Sequence, residues 1–118
     1  MILSLEKQVC SLELSKRLKE LGVAQESAFY WYCPSGDMTR ISLERERKIN
    51  FTYPEGVISA FTVAELGIIL GRYVNSVSWH SHGWREWIDI GKETYHKTEA
   101  DARASRLIYL VENGIVKP

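Results

Sequence analysis

The sequence predicts an α+β fold, an antiparallel sheet of about four strands built from hairpins with three helices packed on it. Three observations predict it. Three well-separated segments carry apolar residues at helical spacing with their own start or stop signals. The stretches between them are rich in β-branched and aromatic residues, and short turn clusters join those stretches, so neighbouring strands run antiparallel. The order helix, strands, helix, strands, helix favours this class over a parallel α/β sheet. At 118 residues the chain makes one domain, 1–118, with a core large enough to stand without disulfides.

The first helix is expected over about residues 11–21. Cys10, Leu14, Leu18 and Leu21 repeat at helical spacing, and Lys16, Arg17, Lys19 and Glu20 cover the other side. Gly22 followed by Val23 supplies a left-handed C-terminal cap with an apolar clasp. In "FTVAELGIILG", Thr62 and Glu65 form a capping box and Phe61 stands where it can staple onto Leu66. Gly71 stops that helix after about two turns, so packing must hold it. The third helix begins at Thr98, with Glu99 and Asp101 placing negative charge in its first turn. Ala100, Ala104, Leu107, Ile108 and Val111 form its apolar stripe, with Arg103 and Arg106 off it. Asn113-Gly114 ends it, and Ile115 is expected to fold back on the last turn.

Strands fill the gaps. "AFYWYC" (28–33) is β-favouring throughout, and Pro34-Ser35-Gly36-Asp37 turns the chain into 38–45, where Ile41 and Leu43 alternate with Arg40, Ser42 and Glu44. "INFTY" (49–53) is a further expected strand before the Pro54-Glu55-Gly56 turn. "RYVNSVSW" and "WREWIDIG" flank His80-Ser81-His82-Gly83, which has the length and the glycine of a hairpin loop. Glu44-Arg45-Glu46-Arg47-Lys48, the one dense charge run, reads as a solvated strand end or loop because its signs are mixed.

Composition narrows the function classes. Fifteen basic and fifteen acidic side chains cancel, so no net field draws the chain to phosphate backbones or anionic lipid. The start has neither a basic leader nor a long apolar region, and no apolar run approaches the roughly 20 residues that span a bilayer. A soluble, cytoplasmic protein without membrane contact is expected. Cys10 and Cys33 sit in apolar or aromatic company and read as small buried side chains in a reducing compartment.

The chemistry-bearing residues are few. His80 and His82, two apart, offer both imidazoles to one zinc if strand geometry persists, with His96, Cys33, Glu86 or Asp89 as a third ligand. Ser81 and Gly83 place the pair in a turn instead, and no second spaced ligand pair exists. Zinc on His80 and His82 is therefore the third reading, and no cofactor is expected. The second reading is a small nucleic-acid-binding regulator of helix-turn-helix type, from "LSKRLKELGVAQESAFYW". Its recognition helix would be mostly aromatic with no basic residue, and stacking platforms for single strands sit in basic grooves. The sequence contains no GxSxG, P-loop, HExxH or GxGxxG pattern, and no catalytic residue is named. Tyr30 and Tyr32 stand on the opposite strand face from Phe29 and Trp31. The exposed members of Tyr30, Tyr32, Trp79, Trp84 and Trp87 are the candidate partner-binding surface, because aromatics contribute disproportionately at interfaces.

Three blocks carry a resemblance. They are Cys10-Ser11-Leu12 through Lys19-Glu20-Leu21-Gly22-Val23, with Gln25-Glu26-Ser27 and Phe29-Tyr30-Trp31; Ala60-Phe61-Thr62-Val63-Ala64-Glu65-Leu66-Gly67; and Thr98-Glu99-Ala100-Asp101-Ala102-Arg103-Ala104 leading to Leu107-Ile108-Tyr109-Leu110. In this order they resemble small proteins of unknown function carried in bacterial prophages and related mobile elements. The resemblance covers rather less than half of the chain. It implies a phage origin, a bacterial cytoplasm and a host or phage protein as partner, and it brings no reaction or binding residue. Two departures stand out: Ile68-Ile69-Leu70-Gly71 replaces a methionine and proline exit from helix two, and the stretch from His80 to Trp87 corresponds to a variable middle. An accessory or protein-interaction factor, more readily than an enzyme, is the expectation.

Overall fold

Capping chemistry decides where the helices begin and end, and the structure, a computed structural model, describes residues 4–33, 41–51, 54–80, 83–89 and 92–118. A single turn, α1 (Leu5–Gln8), precedes α2 (Leu12–Glu20), whose cap residue Ser11 accepts from the Leu14 amide. Gly22, at φ +88°, closes α2 with its amide on Lys19 O and the Val23 amide on Leu18 O. This is the left-handed cap that Gly22-Val23 predicts. Helix α3 (Val63–Leu70) carries the complete Thr62–Glu65 capping box, and Gly71 ends it at φ +55°. Helix α4 (Glu99–Glu112) starts on Thr98, whose Oγ1 accepts from the Asp101 amide at 3.1 Å. Gly114 ends it with the same paired bonds, Gly114 N to Val111 O and Ile115 N to Leu110 O. One detail differs from expectation: Ile115 stays 50% exposed, and Val116 packs on the core in its place.

The α+β class holds, but the strands divide differently. Among the described residues they form two three-stranded antiparallel sheets in place of one sheet. The first has the order β2-β1-β3, with β1 (Phe29–Tyr32), β2 (Ser42–Arg45) and β3 (Val57–Ser59). The second has the order β4-β5-β6, with β4 (Val77–His80), β5 (Gly83–Asp89) and β6 (Lys92–His96). Both expected hairpins, β1–β2 and β4–β5, are present.

The third strand of each sheet was not foreseen. All three residues of β3 are buried, so they show no alternation for a period-two pattern to catch. The expected strand at 49–53 is absent over 49–51, and 52–53 lie outside the described residues. Phe51 instead sets its ring edge-on to Tyr30, with centroids 5.5 Å apart. Strand β6 reads Lys-Glu-Thr-Tyr-His, too polar to announce itself, and exists through its ladder to β5. The helix-turn-helix pattern after α2 ends here as well, because Phe29–Tyr32 is a strand and no helix forms between Gly22 and Phe29.

Helices α2, α3 and α4 share a core of Cys10, Leu18, Val23, Phe61, Leu66, Leu70, Ala100, Ala104, Leu107, Ile108 and Leu110. On its other side α4 packs against β4, β5 and β6. Ala102, fully buried but outside that cluster, and Arg106, 9% exposed, lie four residues apart along α4. They mark its second covered face.

Polar side chains tie these layers together. Glu65 Oε1 accepts from Thr62 N at 2.9 Å within the capping box, and its Oε2 takes the Ala28 amide at 3.0 Å, at the entry to β1. Asp101 Oδ1 accepts from Ser11 N at 2.7 Å, joining the first turn of α4 to the cap of α2. Arg103, off the apolar stripe as expected, is not solvated: Nη1 donates to Val63 O at 3.0 Å and Nη2 pairs with Glu99 at 2.6 Å. Its guanidinium lies where a side chain on Gly67 would stand, and a Cβ there would collide with Nη1.

Gly67 therefore sets helix propensity against this guanidinium. In an Arg103→Ala background, Gly67→Ala should stabilise by up to about 1 kcal/mol, the helix-propensity difference. In the wild-type background the displaced Arg103 should remove that gain. Urea denaturation of the four proteins in the cycle measures the coupling, and purely additive effects would contradict the arrangement.

Candidate functional site

The aromatic residues singled out in the sequence occupy different environments. Tyr30 is buried, its hydroxyl donating to Gln25 O and accepting from Ser27 N, both at 3.3 Å. An exposed surface therefore does not include Tyr30. Tyr32 is half-buried and its hydroxyl accepts from Asn50 N at 3.3 Å. Trp84 is half-buried in β5. Trp79 and Trp87 have backbone in β4 and β5, paired with Trp84 and Glu93, and their side chains lie outside the described residues. Trp31 is also half-buried, with Nε1 donating to Cys10 O at 3.1 Å.

His80, expected in a turn, is the last residue of strand β4. The backbone of His80 pairs with Gly83, while the His80 side chain and the whole of His82 lie outside the described residues. Gly83 has φ +121°, and a Cβ on it would come within 2.7 Å of His96 O, so glycine is required for the close approach of β5 to β6. Among the described residues no group of three or more His, Cys, Asp or Glu side chains is placed to hold a metal ion.

The one described cluster with chemical character centres on Glu86. Cross-strand pairing sets Glu86 opposite Thr94 and Trp84 opposite His96, so all four share one face of the sheet. Glu86 is fully buried; its Oε1 accepts from Thr94 Oγ1 at 3.0 Å and meets His96 Nε2 at 3.1 Å. Its Oε2 has no partner among the described residues. The carboxylate fixes the imidazole orientation, as an acid–base pair requires. Thr94 Oγ1 also lies 3.3 Å from His96 Nε2, so carboxylate, imidazole and hydroxyl meet at one point and form a polar latch between β5 and β6. Sequence reasoning raised Glu86 and His96 only as extra zinc ligands. A signal was nevertheless present, because period-two alternation puts Glu86 in phase with Trp84 and turns both inward.

The two cysteines are buried and not joined in a disulfide, as their apolar and aromatic company implies. Burial pushes the Cys10 thiol from its ordinary 9.0 up to about 11, partly offset by contacts with Ser15 and the Phe61 backbone. Its sulfur lies 2.8 Å from Ser15 Oγ. A thiol held neutral in this way is not a nucleophile at physiological pH.

The described surface includes exposed apolar side chains. On α3, Ala64 is exposed, Ile68 is 81% exposed and Ile69 37% exposed, at the helical spacing that makes one outer strip. Buried Leu66 and Leu70 form the opposite, core-facing side. No family model, curated protein or solved structure matches the chain.

Two measurements test this assignment of polar groups to the fold. Glu86→Ala should destabilise by about 2–4 kcal/mol in urea, because Thr94 and His96 lose a buried charged acceptor. Glu86→Gln, which keeps the shape, should cost less. For Cys10 the native state retains a proton that the unfolded chain releases. Its contribution is therefore complete below pH 9.0 and is lost as pH rises through about 11. Cys10→Ala should flatten the decline of stability over that window, and native Cys10 should resist alkylation at neutral pH until denaturant is added.

Proposed function

We propose that the protein is a phage-type accessory factor that acts by binding a host or phage protein in a bacterial cytoplasm, without catalysis of its own. The strip on α3 carries this reading. Ile68, with 81% of its surface in water, forgoes most of the burial worth about 1.5–3 kcal/mol for such a side chain, and Ile69 beside it is 37% exposed. Adjacent exposed apolar side chains of this kind mark contact surfaces, whereas scattered single ones do not. Trp84 and Tyr95, the latter 40% exposed on β6, are additional aromatic candidates in the second sheet. The buried thiol, the capping carboxylates and the Glu86 latch are each used in holding the fold, which favours a binding role over an enzymatic one. Among the described residues no helix is long and apolar enough to cross a membrane.

The test is a paired change on the strip. Ile68→Glu with Ile69→Glu should cost no more than about 2 kcal/mol, nearly all of it from Ile69, which is 37% exposed against 81% for Ile68, and should leave the chain folded. The same change should abolish co-elution of the 13.6 kDa chain with its partner from host lysate. A complex that survives the substitution would overturn the assignment to α3. A salt-dependent shift on DNA without any protein complex would return the nucleic-acid reading.

A further inference from the structure

The first sheet has two edges, and they are treated differently. In β3 the backbone groups directed away from β1 are those of Val57 and Ser59, since Ala60 N bonds Phe29 O and Cys33 N bonds Gly56 O on the inner side. Side chains close that edge: Gln25 Oε1 accepts from Ser59 N at 2.8 Å, and Lys19 Nζ donates to Val57 O at 2.8 Å. At the opposite edge, Glu46 N bonds Ala28 O. The alternation then turns Glu44 and Ser42 toward β1 and directs the N–H and C=O of Leu43 and Arg45 outward. Among the described residues nothing bonds to those outward groups.

Beside this open edge lies a cleft lined by Leu5, Phe29, Leu43, Arg45, Arg47 and Lys48, with Glu44 at its side. Arg45, at the end of β2, and Arg47 and Lys48, in the 3-10 turn Glu46–Lys48, all line the cleft, while Glu46 does not. Arg45, Arg47 and Lys48 are exposed and form no ion pair among the described residues. Three cations against one carboxylate give the cleft a net positive charge although the chain is neutral. Its floor is apolar: Phe29 and Leu43 are half-buried, and Leu5 is 36% exposed.

We propose that the β2 edge docks an extended acidic peptide segment of a partner protein as an added strand. Main-chain bonds go to Leu43 and Arg45, peptide carboxylates lie against Arg45, Arg47 and Lys48, and an apolar peptide side chain rests on Leu5, Phe29 and Leu43. Strand addition draws affinity from backbone bonds and specificity from alternate side chains. Open edges that are not meant to pair are ordinarily blocked, as β3 is here. A nucleic-acid strand would use the cations but has no peptide groups for the edge. The inference rests on the protein-interaction reading and names the partner's chemistry, on a face other than the α3 strip.

The probe is a short fluorescein-labelled peptide in which glutamate alternates with valine, measured by anisotropy against the intact chain. A lysine–valine peptide and a labelled oligothymidylate serve as comparisons. The acidic peptide should bind and the lysine peptide should not. Arg45→Glu with Arg47→Glu and Lys48→Glu should weaken binding about tenfold or more, with thermal unfolding unchanged. Amide hydrogen exchange at Leu43 and Arg45 should slow on peptide addition, a readout that charge attraction alone does not move. Ile68→Glu with Ile69→Glu should leave peptide binding intact. Absence of binding, equal binding of the lysine peptide, unchanged exchange at both amides, or oligothymidylate binding in place of the peptide would each overturn the proposal. If the peptide fails while the α3 substitutions still abolish the partner complex, the edge inference falls and the interaction reading stands.

Discussion

Coverage of α4 on two sides is the constraint from which the rest of the structure follows. From Glu99 to Val111 no residue of this helix is exposed. Its alanines at 100, 102 and 104 are fully buried and point in different directions around the axis, so α2 and α3 approach on one side and the second sheet on the other. Close packing of this kind leaves little room for added methylenes. It also obliges every polar side chain on the helix to find a partner inside the protein or bear an unfavourable burial.

The carboxylates show how that obligation is met. Glu65 completes a capping box and also takes the Ala28 amide; Asp101 sits in a helix first turn and also takes the Ser11 amide. Each local signal thus doubles as a tertiary tie between elements that are far apart in the chain. Arg103 does the same from the cationic side, bridging Glu99 and the Val63 carbonyl across Gly67. Arg106 is the exception: its Nε and Nη1 have no hydrogen-bond partner among the described residues, and its guanidinium stands 5.1 Å from the Tyr109 ring centre. A cation over an aromatic face recovers part of the lost hydration.

The binding surfaces proposed above are an isoleucine strip, half-buried aromatics and a sheet edge beside cations that form no ion pair among the described residues. Such surfaces suit recognition of another protein, in which main-chain pairing and apolar contact supply affinity and charge supplies selectivity. The two faces are built from different elements, α3 for one and α1, β1 and β2 for the other, so either can be altered without dismantling its neighbour.

Elements whose determinants are local were legible in the sequence. The capping box at Thr62 and Glu65, the start at Thr98, the glycine stops at Gly22 and Gly114 and both hairpins were read correctly, because each depends on residues within a few positions of one another. Tertiary structure decided what depends on distant partners. Strand β3 exists because β1 offers it an edge, and β6 because β5 does; neither has a pattern of its own. The burial of Tyr30 follows from Phe51 and the 25–27 segment closing over it, and the burial of Glu86 from the pairing with Thr94 and His96. The run Glu44–Lys48 is of mixed sign when read along the chain, three cations among two carboxylates. Folding sets Glu46 apart from the cleft that Arg45, Arg47 and Lys48 line together with Glu44, an outcome that depends on how β2 and the 3-10 turn lie on β1.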